Sequence, residues 1–375
     1  MYRRPPLAVA IVLLSFPQFV ETIYSPALPT IASTFHATPE LAAQTLSCWF
    51  IAFALGVVVW GRLSDLLGRR RPLLAGLAIY ALGSGWALIA PDFSQLLIAR
   101  ALSAFGAAVG SIVVQTALRD SYRGRELGHV FSLVGIALAI SPAIGIFAGQ
   151  EIADIAGHQG VFSALGILAL ALCGLSFALW PETRPEALKI ERFWPTLRDM
   201  LADRDIWRDA ILIATLNLAI FSYYQLGPFH VETFKETWID FGKSGLLLAI
   251  ASVLGALGNS ALLRRGWSAE RLIGLGIALL VLGAATVALF ATYTAFALGM
   301  ALTAGAYAIA IPNILSQALL KYADRLGTAG ASLSMIYYIL LGAGLTAAGY
   351  WQNLAHVLMA GAMLAAFMIA AIKRE

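Results

Sequence analysis

Residues 7–30 read LAVAIVLLSFPQFVETIYSPALPT. The run is long enough to cross a bilayer, for which about 20 apolar residues suffice. It nevertheless carries a carboxylate, Glu21, and three prolines, Pro17, Pro26 and Pro29. A carboxylate within a hydrocarbon span is costly and faces protein or water rather than lipid. Prolines at that depth free backbone carbonyls that neighbouring helices must satisfy. The stretch is therefore expected to line a polar cavity inside a helix bundle. Glu21 is the only acid that falls inside any expected span.

The rest of the chain repeats this pattern. Of 375 residues, 60% are hydrophobic and 12% charged, against about 25% charged in soluble domains. The apolar runs are about 20 residues long, not alternating strands of about 10, so the chain reads as an all-α membrane protein. Twelve runs are expected, near 7–30, 41–61, 73–90, 95–117, 127–149, 160–180, 210–229, 244–263, 272–290, 293–318, 327–349 and 353–372. The long charged stretch 181–209 divides them into an N-terminal six-helix bundle (1–180) and a C-terminal one (210–375). The opening MYRRPP and its apolar run have the charge order of a signal peptide. The run is too long and too polar near its end for that, and reads as an uncleaved first span. No soluble domain is expected at either end.

Of the 25 Lys and Arg, Arg100 falls within a span, and Lys235 and Lys243 fall on one side of the membrane. All the others, including Arg3, Arg4, Arg62, Arg69 to Arg71, Lys189, Arg192, Lys373 and Arg374, fall on the side of the N-terminus. Basic loops stay cytoplasmic, so both termini are expected inside. The same distribution accounts for the net charge of +4 and argues against nucleic acid, which needs a basic patch on a folded domain. Cys48 and Cys173 lie in apolar runs and read as buried thiols. The five histidines, His36, His129, His158, His230 and His356, are scattered without ligand spacing. There is no phosphate-cradling GxxxxGK[ST] loop and no acid pair within a span. No enzyme, metal or cofactor is expected.

Two loops echo one another weakly. GRLSDLLGRRR, residues 61–71, follows the second run, and GNSALLRRG, residues 258–266, follows the eighth. Such symmetry is expected of a transporter built from two six-span halves. The first loop closely resembles the G-x-L-x-D-R-x-G-R-R loop of the major facilitator superfamily. Gly61, Leu63, Asp65, Gly68, Arg69 and Arg70 match, and Leu66 replaces a basic residue. The glycines allow a tight turn. The resemblance implies a cytoplasmic latch between halves, with Arg119 as the partner of Asp65.

More of the chain resembles one branch, the twelve-span bacterial drug:proton antiporters that include bicyclomycin- and chloramphenicol-efflux proteins. Tyr24 to Pro29 is similar to their YLPALP, and Arg100 in IARALSAFGAAVG to their fourth-span arginine motif. Arg119-Asp120-Ser-Tyr122 is similar to RDxY. Ser141-Pro142-Ala-Ile-Gly145 fits the fifth-span antiporter motif. Trp180-Pro-Glu-Thr-Arg184 matches the close of the sixth span, and Ile311-Pro-Asn313 a tenth-span signature. The branch usually has Asp where this chain has Thr22; its carboxylate, Glu21, stands one position earlier and about 100° around the helix. It also has Gln where this chain has Ser103. The resemblance implies a major facilitator fold of twelve helices in the bacterial inner membrane, and a monomer.

Glu21 lies about 21 Å along the first span and Arg100 about 8 Å below the start of the fourth. Both are expected about 8–12 Å beneath the outer face, pairing or competing through the cavity and coupling proton movement to substrate exchange. A static ion pair, or an arginine reaching to the surface, is the simpler alternative. Gln18, Thr22, Tyr24 and Ser25 cluster around Glu21 along the first span and are expected to line the cavity or to pack on a neighbouring helix. In the seventh span Asn217, Tyr223 and Tyr224 suit a pocket for amphipathic aromatic compounds, or, for the tyrosines, an interfacial belt. Asn313 is a cavity candidate; Tyr337 and Tyr338 are weaker ones. His356 reads as a satisfied buried histidine. Pro142 and Gly145, with Gly135 and Gly149, are assigned to helix bending and close packing, not to ligand contact.

The expected function is secondary active export of drug-like small molecules by proton antiport. An exporter of an endogenous metabolite such as a siderophore or sugar, or a non-transporting membrane sensor or intramembrane enzyme, are the alternatives.

Overall fold

The structure, a computed structural model, describes residues 4–185, 193–231, 240–290 and 292–372. Arg3, Lys189, Arg192, Lys235, Lys373 and Arg374, used above to orient the loops, lie outside the described residues. Every regular element among the described residues is helical.

The first span is one crossing in three pieces: α1 (Leu7–Thr22), a 3-10 turn (Ser25–Ala27) and α2 (Leu28–Thr34). Pro26 and Pro29 lack the N–H groups that would bond the carbonyls of Thr22 and Ser25, so the α-helix stops just past Glu21. The crossings α3 (Pro39–Leu67), α4 (Arg70–Ile89) and α5 (Phe93–Ser121) follow. Helix α6 (Gly124–Leu179) has 56 residues, about 84 Å at 1.5 Å per residue, more than two hydrocarbon thicknesses. It crosses twice and turns at Gly157, whose φ of 61° suits glycine. The expected fifth and sixth runs lie on either side of that turn.

The charged stretch after α6 is not all loop. It holds α7 (Phe193–Ala202), an amphipathic helix that buries Leu197 and Met200. Helix α8 (Arg204–Val231) then starts six residues before its apolar run, and near its start Arg208 pairs with both Asp205 and Asp209. After it come α9 (Phe241–Arg264), α10 (Ala269–Leu289), α11 (Tyr293–Ala318), a 3-10 stretch (Leu320–Arg325), α12 (Leu326–Trp351) and α13 (Leu354–Ile372). Among the described residues, ten helices are long and apolar enough to cross a membrane. With α6 crossing twice and the shorter apolar α13 added, the crossings match the twelve expected runs.

Many crossings begin at a polar cap. Asp92, Asp240, Ser268 and Thr292 accept from the backbone N–H three residues on. This satisfies an amide that hydrocarbon could not. Within each half, small residues let helices approach closely. A Cβ on Gly76 would stand 3.0 Å from the carbonyl of Gly106, and one on Gly276 would stand 3.0 Å from that of Ala306. Gly83 similarly meets the carbonyl of Ala99 at 2.9 Å, and Gly283 that of Gly299 at 2.6 Å. Ser103 and Thr303 each donate back to those same carbonyls, at 2.9 Å. The α4–α5 seam is thus repeated in the α10–α11 seam, a correspondence much clearer than the echo between the two loops.

The halves meet along α3 against α12 and α6 against α9. The bonds across that boundary gather at the end opposite the basic loops. There Gln225 of α8 donates across it to the carbonyl of Ala43 (2.7 Å) and, within its own half, to that of Leu345 (3.0 Å). Gln44 donates to the Thr346 carbonyl at 3.3 Å, and Ser25 donates to the Tyr224 carbonyl. Deeper in, Phe50 packs on Phe221 and Tyr338.

Candidate functional site

Below this closed end lies a cavity of about 350 Å³ between the halves, within the range that holds small molecules. Gln18 of α1 and Pro142 of α6 face it from one half, and Tyr224, Ser252, Tyr307 and Pro312 from the other. Its wall continues through Gly135, Ala256 and Leu315 toward the end that carries the basic loops. Among the described residues, no charged side chain is part of the wall. Aromatic rings, small residues and a few hydroxyl and amide groups make it amphipathic and neutral.

One helical turn from Gln18, Glu21 is 4% exposed, and Arg100 of α5 is 1% exposed. Of the two arrangements expected, pairing or competing, the first is not seen: no ion pair joins them. The Arg100 guanidinium lies 4.0 Å from the Tyr24 ring centroid and 4.3 Å from that of Trp49. Tyr80 packs edge-on against Trp49 and Phe16. Two desolvated cation–π contacts, each worth about 2 kcal/mol, hold the cation by ring faces instead of by the carboxylate. Oε1 of Glu21, Nε and Nη2 of Arg100, Oε1 of Gln18 and the hydroxyls of Tyr24 and Tyr80 are all buried without a hydrogen-bond partner. Uncompensated polar atoms are costly inside a protein, and here they collect in one place. The arrangement can hold a carboxyl group in either protonation state with a fixed cation nearby.

The other expected site residues distribute as follows. The Thr22 hydroxyl donates to Gln18 of its own helix at 2.8 Å, and it faces Gly145, where α1 and α6 touch. Tyr24 belongs to the arginine cage. Asn217 stands behind the wall, accepting from the Tyr307 hydroxyl at 3.4 Å. Asn313 donates to Asn259 at 2.8 Å, next to the wall residue Pro312. Tyr224 is in the wall, but Tyr223 is not. Its hydroxyl bonds with Ser244 and its ring packs on Phe241 and Phe296 inside the C-terminal half. Consecutive helical residues point about 100° apart, so two adjacent tyrosines cannot share one wall. Both are buried, which excludes an interfacial belt. Pro142, expected only to bend α6, also contributes to the wall; Gly145 is confined to packing. Tyr337 and Tyr338 pack against one another with their rings tilted by 46°, and His356 is exposed rather than buried. Cys48 and Cys173 are half-buried free thiols.

The loop at 61–71 is built differently from the expected latch. Asp65 pairs with Arg69 at 2.7 Å, and Arg69 also reaches Asp120 of α5 at 2.8 Å. Arg119, the expected partner, lies over the Phe131 ring of α6 at 5.8 Å. One residue of rotation turns Asp120 toward the loop and Arg119 away from it. Gly61 faces Ile112 of α5. Gly68 has a φ of 90°, and the Arg70 guanidinium donates to the Phe177 carbonyl at 2.6 Å. Glu182, quoted above only as part of the motif that closes the sixth span, has a role the sequence reading did not assign. Its carboxylate accepts from the backbone N–H of Arg69 at 2.7 Å and of Arg70 at 3.1 Å, capping α4, and from Thr183 and Arg184. Burial raises its proton affinity, but the N–H groups of Arg69, Arg184, Arg70 and Thr183 outweigh this and hold its pKa below the usual glutamate range. An acid directly after a span-ending Trp-Pro was the available signal.

A bundle of twelve apolar crossings around a neutral cavity is the architecture of a membrane transporter. The chain belongs to the Major Facilitator Superfamily, whose family model matches residues 10–345. It is 30% identical over 355 residues to an uncharacterized transporter of Rickettsia bellii, covering 90% of this chain and 88% of the relative. A chloramphenicol resistance protein of Pseudomonas aeruginosa is 26% identical, with 76% and 68% covered. Multidrug resistance protein MdtL of Escherichia fergusonii is 24% identical, with 96% and 93% covered. A crystal structure of the POT family transporter PepTSo superposes with a TM-score of 0.76 over 98% of both chains, at 12% identity, and so shares the fold. These relatives are transporters, not enzymes.

Proposed function

We propose that the chain exports neutral, amphipathic, drug-like small molecules across the bacterial inner membrane in exchange for protons, by alternating access, with its termini in the cytoplasm. The observation that carries this reading is the buried carboxyl of Glu21, unpaired and one turn from the cavity residue Gln18, beside the caged cation Arg100. An acid kept in hydrocarbon without a partner is costly. Its retention makes sense where it takes up and releases a proton. The uncharged wall favours neutral substrates, because a charged one would be desolvated without a counter-ion. With the basic end inside, the closed end on this reading lies outward and the cavity extends inward, as in a cytoplasm-facing member of the cycle.

The test is drug flux into or out of proteoliposomes with and without an imposed proton gradient, comparing wild type with Glu21→Gln. Gradient-driven flux lost in the variant supports the reading. Flux indifferent to both gradient and variant refutes antiport and leaves facilitated diffusion.

A further inference from the structure

A second cleft, of about 500 Å³, opens at the basic end among Leu67, Arg70, Arg71, Glu182 and Arg184. Its charge is unbalanced. None of the three arginines is in an ion pair among the described residues, and Nε of Arg70 and of Arg184 is buried without a partner. Backbone carbonyls hold two of the guanidinium groups in place. Arg70 donates to Phe177 at 2.6 Å and Arg184 to Leu66 at 3.1 Å. The one acid among the described residues that line it, Glu182, is already saturated by four backbone N–H groups. Planar, pre-positioned guanidinium groups suit the oxygens of a phosphate.

The flank of the cleft is apolar and outward-facing. Phe177 is 67% exposed and Leu179 48%, both in the last turn of α6, and Leu66 and Leu67 are exposed at the end of α3. A cationic cleft at the level where crossings end, continuous with bare hydrocarbon-facing side chains, has the two-part shape of a phospholipid. We infer that this cleft binds the phosphate of an anionic phospholipid, with an acyl chain lying over Phe177 and Leu179. The apolar flank favours a lipid over free phosphate. The excess of cations disfavours a zwitterionic headgroup, whose ammonium would meet like charge.

The test uses purified full-length protein in detergent with phosphatidylcholine alone, with added phosphatidylglycerol, or with added inorganic phosphate. Native mass spectrometry reads retained lipid, and the thermal midpoint reads stabilisation. Wild type is expected to retain phosphatidylglycerol selectively. Arg71→Gln with Arg184→Gln should weaken retention about 30-fold, about fivefold per cation; Arg71→Lys with Arg184→Lys, which keeps the charge but not the planar fork, should lose less than the Gln pair. Arg71→Gln alone removes no hydrogen bond and serves if the double variant does not fold, with about a fivefold loss. Arg264→Gln with Arg265→Gln, exposed at the same end of the other half, should leave retention unchanged. Undiminished retention in the Arg71 variants, an equal loss in the Arg264 pair, or equal stabilisation by inorganic phosphate would overturn the inference.

Discussion

Gly68→Ala is the sharpest test of how the basic loop is built. Gly68 ends α3 with φ 90° and ψ 172°, a region that residues with a Cβ occupy at a cost of about 1–3 kcal/mol. A Cβ there would also stand 2.7 Å from Cδ and 3.1 Å from Oε1 of Glu182. The carboxylate must move, and in moving it leaves the N–H groups of Arg69 and Arg70. Losing a helix cap of this kind costs about 1–2 kcal/mol. The single substitution should therefore destabilise by about 2–5 kcal/mol. Glu182→Ala alone should cost only the cap, and Gly68→Ala made on top of it only the backbone strain. A double-mutant cycle should show coupling of about 1–2 kcal/mol, read from denaturant unfolding in detergent by tryptophan fluorescence. Additivity within about 0.5 kcal/mol would refute the steric link between the two residues.

The same cap predicts a pH dependence. The carboxyl of Glu182 is held below its ordinary range in the folded protein. Its contribution is therefore present above the unfolded value, about 4.3, and is lost as pH falls through the lower folded value. Glu182→Gln should flatten the acid side of the stability profile below about pH 5 and leave neutral pH displaced by a constant amount. An unchanged acid slope would mean that Glu182 carries no charge onto α4.

Arg100→Lys keeps the charge but not the flat guanidinium between Tyr24 and Trp49; gradient-driven flux should fall at least about tenfold with the protein still folded, and undiminished flux would show that the cage is incidental. Gly106→Val and Gly276→Val place a side chain into equivalent seams, 2.6 Å from the Gly76 carbonyl and 3.0 Å from that of Ala306. Each should destabilise by about 1–3 kcal/mol, and a loss at only one of them would argue against equivalent halves. Gly342→Leu drives a wedge into the α3–α12 boundary, where a Cβ would lie 2.6 Å from Cγ1 of Ile51 and 3.3 Å from the Ser47 carbonyl. At about 1–3 kcal/mol the closed end should open about 5–150-fold more often, read as faster maleimide labelling of Ser47→Cys; an unchanged rate would mean that the boundary does not gate that end.

The crossings were legible because hydrocarbon imposes one requirement on every residue of a span. The loop at 61–71 was legible through its resemblance to the family loop, which Gly61, Leu63, Asp65, Gly68, Arg69 and Arg70 match. Partners were not. Rise per residue gave the similar depth of Glu21 and Arg100, but depth says nothing of what stands between two side chains. Tyr24 and Trp49 come from different helices, and their rings take up the guanidinium that the carboxylate was expected to hold. Rotation misled in the same way at Arg119 and Tyr223, where a neighbour in sequence, Asp120 or Tyr224, occupies the expected place. The repeat between halves was hidden for another reason. It is carried by a few small residues, Gly76 and Gly83 against Gly276 and Gly283, whose role is to be absent from a seam.

The separation of Arg100 from Glu21 bears on coupling itself. A cation neutralised by direct contact would lock its carboxylate, and proton exchange would have to break that bond in every cycle. A cation held by aromatic faces keeps its position whichever state the carboxyl adopts. Control then passes to what changes near Glu21. Gln18, one turn away on the same helix, is in the cavity wall with an unpartnered Oε1. Under the proposed antiport, a substrate that engages Gln18 alters the surroundings of the acid without touching it. Drug and proton then exclude each other through one turn of helix, and the substrate needs no charge of its own.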